Sequence, residues 1–202
     1  MWLRFQRSFL AFLIAGLAGL LKPDDALATL DKIFTGRTGM TSLSTSGPIT
    51  VSYMASPVLD GEFEKFTDYR SALVFHMTMA SDSNTGTTRY FYGGAGRKYY
   101  FRNIGMVVNE AISDGQLKMT PGMRYFAKFE FGISHMTLES FGPVLAITST
   151  AFEFGASGGL TIPIVNNIGL TGEIGYGFGY GFSSVAITAS ILKFSLGISF
   201  LY

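Results

Sequence analysis

Large apolar residues recur at every second position through most of this chain. The last ten residues, KFSLGISFLY (193–202), set Phe194, Leu196, Ile198, Phe200 and Tyr202 against Lys193, Ser195, Gly197 and Ser199, with Leu201 the one exception. Alternation with period two marks a strand with one apolar face. The same rhythm runs through ITVSYMA (49–55), RSALVFHMTMA (70–80), MRYFAKFEFGISH (123–135) and IGLTGEIGYGFGYG (168–181). Two further strands are expected over 87–101, where aromatics bunch at both ends around glycines, and over 150–162. SDSNTGT (81–87), ESFGP (139–143), PIVNN (163–167) and 182–186 read as the turns between strands, with Pro163 placed where a ladder donor is dispensable. SPVLDGEFEKFTDY (56–69) reads as acidic and turn-like, and 102–121 interrupts the pattern.

The composition of the two faces indicates which one is buried. In a soluble sandwich the face opposite the apolar one is charged and solvated. Here it is Gly, Ala, Ser and Thr with sparse charges, most clearly at Gly169, Thr171, Glu173, Gly175, Gly177, Gly179 and Gly181. Glycine weakens a strand, so alternate glycines imply a crowded or sharply curved interior. The tyrosines fall near strand ends, as expected of side chains that sit between a greasy and a wet environment. Both features fit an inside-out arrangement, with the apolar face in lipid and the small polar face lining a narrow lumen.

The first 28 residues read as an export address. Arg4 and Arg7 precede an apolar run of 13, Phe9–Leu21, and the segment ends in Ala-Leu-Ala, with Ala26 and Ala28 at the small positions of a cleavage site. Thirteen residues rise only about 20 Å as a helix, short of a bilayer core of about 30 Å. An uncleaved inner-membrane anchor is the rival for this segment. Beyond it no apolar run approaches 18 residues, so no spanning helix is expected.

Charge and cysteine content narrow the function classes. Lys and Arg total 15 against 14 Asp and Glu, so no basic field points to nucleic acid. Three basic and two acidic residues fall within 1–28, leaving 12 of each sign beyond it. Cysteine is absent, which removes disulfides, thiolate metal sites and a cysteine nucleophile.

The ending FSLGISFLY resembles the C-terminal strand of bacterial outer-membrane β-barrels, which alternates and ends on an aromatic residue. GGAGRKYYF (93–101), MRYFAKFEFG (123–132) and LTIPIVNNIGLTGEIGYGFGYG (160–181) resemble the paired strands of the small OmpA/OmpX/OmpW-type barrel domains. The resemblance covers roughly residues 45–202. It implies a location in the bacterial outer membrane, a lipid surround, and recognition by the barrel assembly machinery through Phe200 and Tyr202. Terminal Tyr202 departs from the Phe that most often ends these chains.

The expected fold class is therefore all-β, an antiparallel transmembrane β-barrel over 49–202. It follows a signal peptide (1–28) and a segment, 29–48, that is either a linker or a weak first strand. Seven strands are readable and such barrels carry an even number. The eighth must come from 29–45 or from a split segment. On this topology 163–167 and the long 102–121 connection share the end that holds the termini, while 81–87, 139–148 and 182–186 form short loops at the other.

Alternation assigns Arg70, His76, Arg124, Lys128, Glu130, Glu153, Glu173 and Lys193 to the lumen, joined by Arg97 or Lys98 according to register. Lys193 lies diagonally across the last hairpin from Glu173. Tyr90, Tyr92, Tyr100, Tyr176, Phe178 and Tyr180 are assigned to an aromatic girdle on the lipid face. An eight-stranded barrel is just wide enough for side chains to fill it, and charges inside must be paired. A structural, non-enzymatic barrel with a plugged lumen is the reading these residues favour. The alternatives are a narrow pore for ions or small apolar solutes, a partner-binding module, and a soluble secreted β-sandwich. Hydrolase chemistry needs a nucleophile beside a base, and Ser134 and His135, as strand neighbours, face opposite ways. No cofactor, metal or nucleic-acid partner is expected, and the protein is expected to be a monomer.

Overall fold

The computed structural model describes residues 32–47, 50, 52–68, 70–81, 89–101, 111–112, 115–116, 123–139, 146–165, 167–182 and 186–201. The export segment with Ala26 and Ala28, and the terminal Tyr202, lie outside the described residues. Ten strands follow in order: β1 (Lys32–Ser46), β2 (Ser52–Asp68), β3 (Ser71–Ser81), β4 (Arg89–Tyr100), β5 (Ala111–Ile112), β6 (Gly115–Gln116), β7 (Arg124–Glu139), β8 (Ala146–Val165), β9 (Ile168–Gly181) and β10 (Thr188–Leu201). Strands β5 and β6 form a two-residue ladder within the connection between β4 and β7. The other eight pair antiparallel with their neighbours and close through β1 against β10. A single closed sheet rules out the sandwich.

Closure comes with a stagger. From Thr35 the register passes through Glu62, His76, Gly94, Gly132, Glu153, Gly179 and Ala189, and returns to β1 at Thr45, ten residues along. Eight strands with such a shear tilt strongly and enclose a space that side chains fill. Every strand then has an inner and an outer face. Phe129, Phe131, Phe154, Ile174, Tyr176 and Leu196 are among the large apolar side chains exposed outside. Their rings touch laterally, as in Phe131–Phe154 (5.0 Å between centroids) and Phe152–Phe182 (4.7 Å).

The eighth strand is β1, drawn from the segment read as a linker or weak strand. Its two faces differ little: Thr35, Thr41 and Thr45 point inward, Thr38, Ser42 and Ser44 outward. Without apolar contrast the rhythm is invisible, and pairing on both sides, to β2 and β10, makes the strand.

The stretch read as an acidic turn, 56–69, is corrected as well. β2 runs through it without a break, because Asp60, Glu62 and Glu64 all point inward to cations on other strands. Tertiary pairing overrides the low strand propensity of Asp, Gly and Glu. Pro57 and Pro163 both sit in strands where the register shifts, at a bulge that does not require their missing donor. β8 consequently runs on to Val165, and the turn into β9 is two residues, 166–167, shorter than PIVNN implied.

Two-residue turns (69–70 and 166–167), the 101–123 connection, the start of β1 and the end of β10 share one end, called here the terminal end. The 47–51, 82–88, 140–145 and 182–187 connections lie at the loop end.

If closure by β10 is what completes the barrel, a chain ending at Gly197 will not refold in vitro. It loses the four pairs from Gly36↔Ile198 to Ile33↔Leu201. Migration of unheated samples on a denaturing gel reads this directly. A truncated chain that keeps the compact, heat-modifiable band would show that the β1–β10 seam is dispensable.

Candidate functional site

The lumen holds an ionisable side chain from every barrel strand. Glu62 on β2 is the hub: its carboxylate accepts from Arg37 Nη2 on β1 (3.0 Å), Lys98 Nζ on β4 (2.6 Å) and Lys128 Nζ on β7 (2.6 Å). Arg37 also reaches Asp60 (2.8 Å) and Glu173 on β9 (2.5 Å), and Lys128 reaches Glu173 (2.7 Å) and Glu130 (3.3 Å). Lys98 continues to Glu64 (2.7 Å), which also accepts from the Tyr100 hydroxyl. His76 on β3 lies between Asp60 (Nε2, 2.9 Å) and Glu130 (Nδ1, 2.6 Å), an arrangement in which both ring nitrogens donate if the imidazole is charged. These side chains have essentially no exposure, from 0 to 8%.

A second, smaller group lies toward the loop end. Tyr90 donates to both oxygens of Glu153 (2.8 and 2.7 Å), and Lys193 approaches the same carboxylate at 3.3 Å with its ammonium 4.3 Å above the Tyr92 ring. The Tyr92 ring lies against Gly132, where a Cβ would come within 2.7 Å of it, and its hydroxyl occupies the space a Cβ at Gly94 would need. The alternate glycines thus make room for large inward side chains. Beyond them Leu43, Val58, Met136, Ile187 and Ile191 pack into an apolar cluster that fills the loop end.

At the terminal end, Phe126 packs on Tyr100 and Ala72, with the Lys98 ammonium 3.9 Å above its ring. A chain of hydroxyls crosses four strands there: Thr161–Thr171 (2.9 Å), Thr171–Ser199 (2.5 Å) and Ser199–Thr35 (2.8 Å). Arg124 is buried beside it in a cleft lined also by Thr161, Asn167 and Ser199, and its Nε has no hydrogen-bond partner among the described residues.

Chemically, this arrangement fills space and neutralises charge. Thr78 Oγ1 lies 3.1 Å from His76 Nε2, the spacing of a nucleophile and its base. The hydroxyl is fully buried, and the same nitrogen lies 2.9 Å from Asp60 Oδ2.

Of the residues assigned to the lumen from the sequence, the structure brings His76, Lys128, Glu130 and Glu173 into one network. Glu153 and Lys193 form a separate pair, since Glu173 is taken by Arg37 and Lys128. Arg124 stands apart at the terminal end. Arg70 is not in the lumen: β3 starts at Ser71, which leaves Arg70 exposed in the preceding turn. Lys98 faces inward and Arg97 outward.

The girdle assignment divides. Tyr176, Phe178 and Tyr180 are exposed outside, whereas Tyr90, Tyr92 and Tyr100 are buried inside. With Tyr at both 99 and 100 and glycines between the aromatic groups, β4 carries no internal mark of its parity. Phe200 is half-buried between Phe34 and Ile168 on the neighbouring strands. Sequence reasoning missed Arg37, Asp60, Glu62 and Glu64. The signal was present in D-G-E-F-E, three acids at period two, but reads equally as a turn.

No protein-family model and no curated protein matches the chain. Solved structures do. Neisserial surface protein A matches at 12% identity over 84% of this chain and 97% of its own, with a TM-score of 0.54. The outer membrane protein OprG from Pseudomonas aeruginosa matches at 7% identity over 89% and 99%, with a TM-score of 0.52. The N-terminal β-barrel domain of P. aeruginosa OprF matches at 11% identity over 87% and 100%, with a TM-score of 0.50. The likeness is one of fold, and the fold is that of the small eight-stranded outer-membrane barrels.

Glu62→Gln leaves Arg37, Lys98 and Lys128 short of a shared carboxylate. Its expected cost is about 3–5 kcal/mol, the range for breaking a buried ion network on one side. Urea titration of the folded protein in detergent measures it. Glu62→Gln/Lys98→Met removes one charge of each sign and should cost less than the two single changes added together. A loss under about 1 kcal/mol for the single variant would remove Glu62 from its central place.

Proposed function

We propose that this protein is a bacterial outer-membrane barrel with a sealed lumen, structural in role and without enzymatic activity. It stands in the bilayer by its apolar outer face, after export and insertion by the barrel assembly machinery acting on the terminal strand with Phe200 and Tyr202. One observation carries the sealed-lumen reading. The Arg37–Glu62–Lys128–Glu173 network ties β1, β2, β7 and β9 together across the lumen, with an apolar cluster above it. A conducting path needs wettable space and charges free to exchange partners with the permeating ion. Here each charge of the network already meets two or three partners.

The reading has two consequences that can be measured. Purified protein inserted in a planar bilayer should give no reproducible conductance steps, with insertion confirmed by protease protection. Stable steps that change on neutralising Glu173 or Lys128 would instead establish a narrow pore lined by those residues. The second consequence concerns the outer face. Phe131→Arg places a charge at mid-strand outside, and should destabilise the protein in phospholipid vesicles by about 2–4 kcal/mol. A neutral or stabilising effect would mean that this face meets water.

A further inference from the structure

Charge on the barrel is sorted by sign as well as by face. Among residues whose side chains are described, every carboxylate points into the lumen. The Lys and Arg side chains outside it are Lys32, Lys65, Arg70 and Arg97. Lys32, Lys65 and Arg97 lie on β1, β2 and β4, Arg70 lies in the β2–β3 turn, and all four sit at the terminal end. Lys32 lies directly opposite Lys65, Lys65 opposite Leu73, and Leu73 opposite Arg97, so one register row carries three cations. Arg70 lies in the turn beside it. The outer face of β7–β10 has no described Lys or Arg and is mainly apolar and aromatic, with His135 and several threonines toward the loop end.

Like charges directly opposed across a strand pair are destabilising. Lys32 and Lys65 are so placed, and among the described residues neither has a carboxylate partner. Their depth matters too. Lys65 is three residues from the end of β2 and Leu73 two from the start of β3, which for tilted strands is within about 5–8 Å of the rim. A cation on the lipid face is costly at the midplane and nearly free near the interface. The row thus lies at headgroup depth, and an anion between the two lysines would relieve their repulsion. Around it Leu73, Phe75 and Tyr99 are exposed, with the Arg97 guanidinium 5.6 Å above the Tyr99 ring. A ligand matching this surface carries negative charge at one end and hydrocarbon at the other. A general interfacial need for cations would place them on every strand, whereas those on the described outer faces occupy β1, β2 and β4.

We propose that the terminal end of β1–β4 is a docking surface for anionic phospholipid, with the phosphate seated between Lys32 and Lys65 and the acyl chains along Leu73 and Phe75. The proposal rests on the lipid-embedded reading above and assigns that surface a selectivity.

The test is native mass spectrometry of the folded protein released from nanodiscs of equal phosphatidylglycerol and phosphatidylcholine. Phosphatidylglycerol should dominate among retained lipids, with each lysine contributing about fivefold. Lys32→Gln/Lys65→Gln should bring retention near parity, and Lys32→Arg/Lys65→Arg should preserve the preference. Compact migration on an unheated gel checks that each variant is folded. On the unmodified protein, raising salt from 50 to 500 mM should weaken the preference, which tests the electrostatic origin without any variant. Equal retention of both lipids by a correctly inserted barrel, or an undiminished preference in the Gln variant, overturns the docking surface and leaves the membrane reading standing. A protein that does not enter nanodiscs at all overturns both.

Discussion

The structure depends on burying charge inside a closed sheet, where side chains of opposite sign must balance one another. A closed eight-stranded sheet with a mainly apolar exterior places most of its charged side chains in its interior, and that interior is narrow. An isolated ion there would carry a prohibitive desolvation cost. The solution is a network in which Glu62 meets three cations, Arg37 three acids and Lys128 three acids. These contacts join strands far apart in sequence, so the network forms only once the barrel is closed. A buried ion pair is weak evidence for stability in itself. Its effect here is to make the closed register the one in which the charges of this network are matched.

The small residues and the aromatics of the lumen are parts of one packing arrangement. Gly94 and Gly132 leave room for Tyr92, and a Cβ at Gly159 would lie 2.5 Å from the Phe126 ring. Tyr90 and Tyr100 each fill space with a ring and place a hydroxyl on a carboxylate, Glu153 and Glu64 respectively. Tyrosine therefore supplies both volume and a hydrogen-bond donor, which a phenylalanine at either position would not. Seen along the axis, the lumen passes from hydroxyls and Phe126 at the terminal end, through the ion network, to an apolar cluster at the loop end.

The two halves of the barrel wall differ outside. β7–β10 present a mainly apolar and aromatic surface, while β1–β4 add a row of cations near the terminal rim. The same strand, β2, carries three acids on its inner face and Lys65 on its outer one. Its composition, which in isolation suggests a solvated turn, is that of a strand whose inner face meets cations on other strands and whose outer face carries one.

The sequence by itself determined the class of fold and the outward face of most strands. Where apolar residues alternate with glycine, serine or threonine, as in 168–181 and 193–201, period two leaves a single register choice. It also placed His76, Lys128, Glu130, Glu153, Glu173 and Lys193 on the inner face, because their apolar neighbours fixed the parity of each strand. Only the tertiary structure decided the rest. β1 lacks contrast between its faces, and the inward acids of β2 read equally as a turn, so both strands exist through pairing. The side of Tyr90, Tyr92 and Tyr100 depended on a parity that β4 does not display. The partners of each charge depended on a ten-residue stagger that sets Arg37 beside Glu173, 136 positions away. The physical reason is range: alternation is a property of adjacent residues, whereas charge matching is settled by closure of the whole sheet.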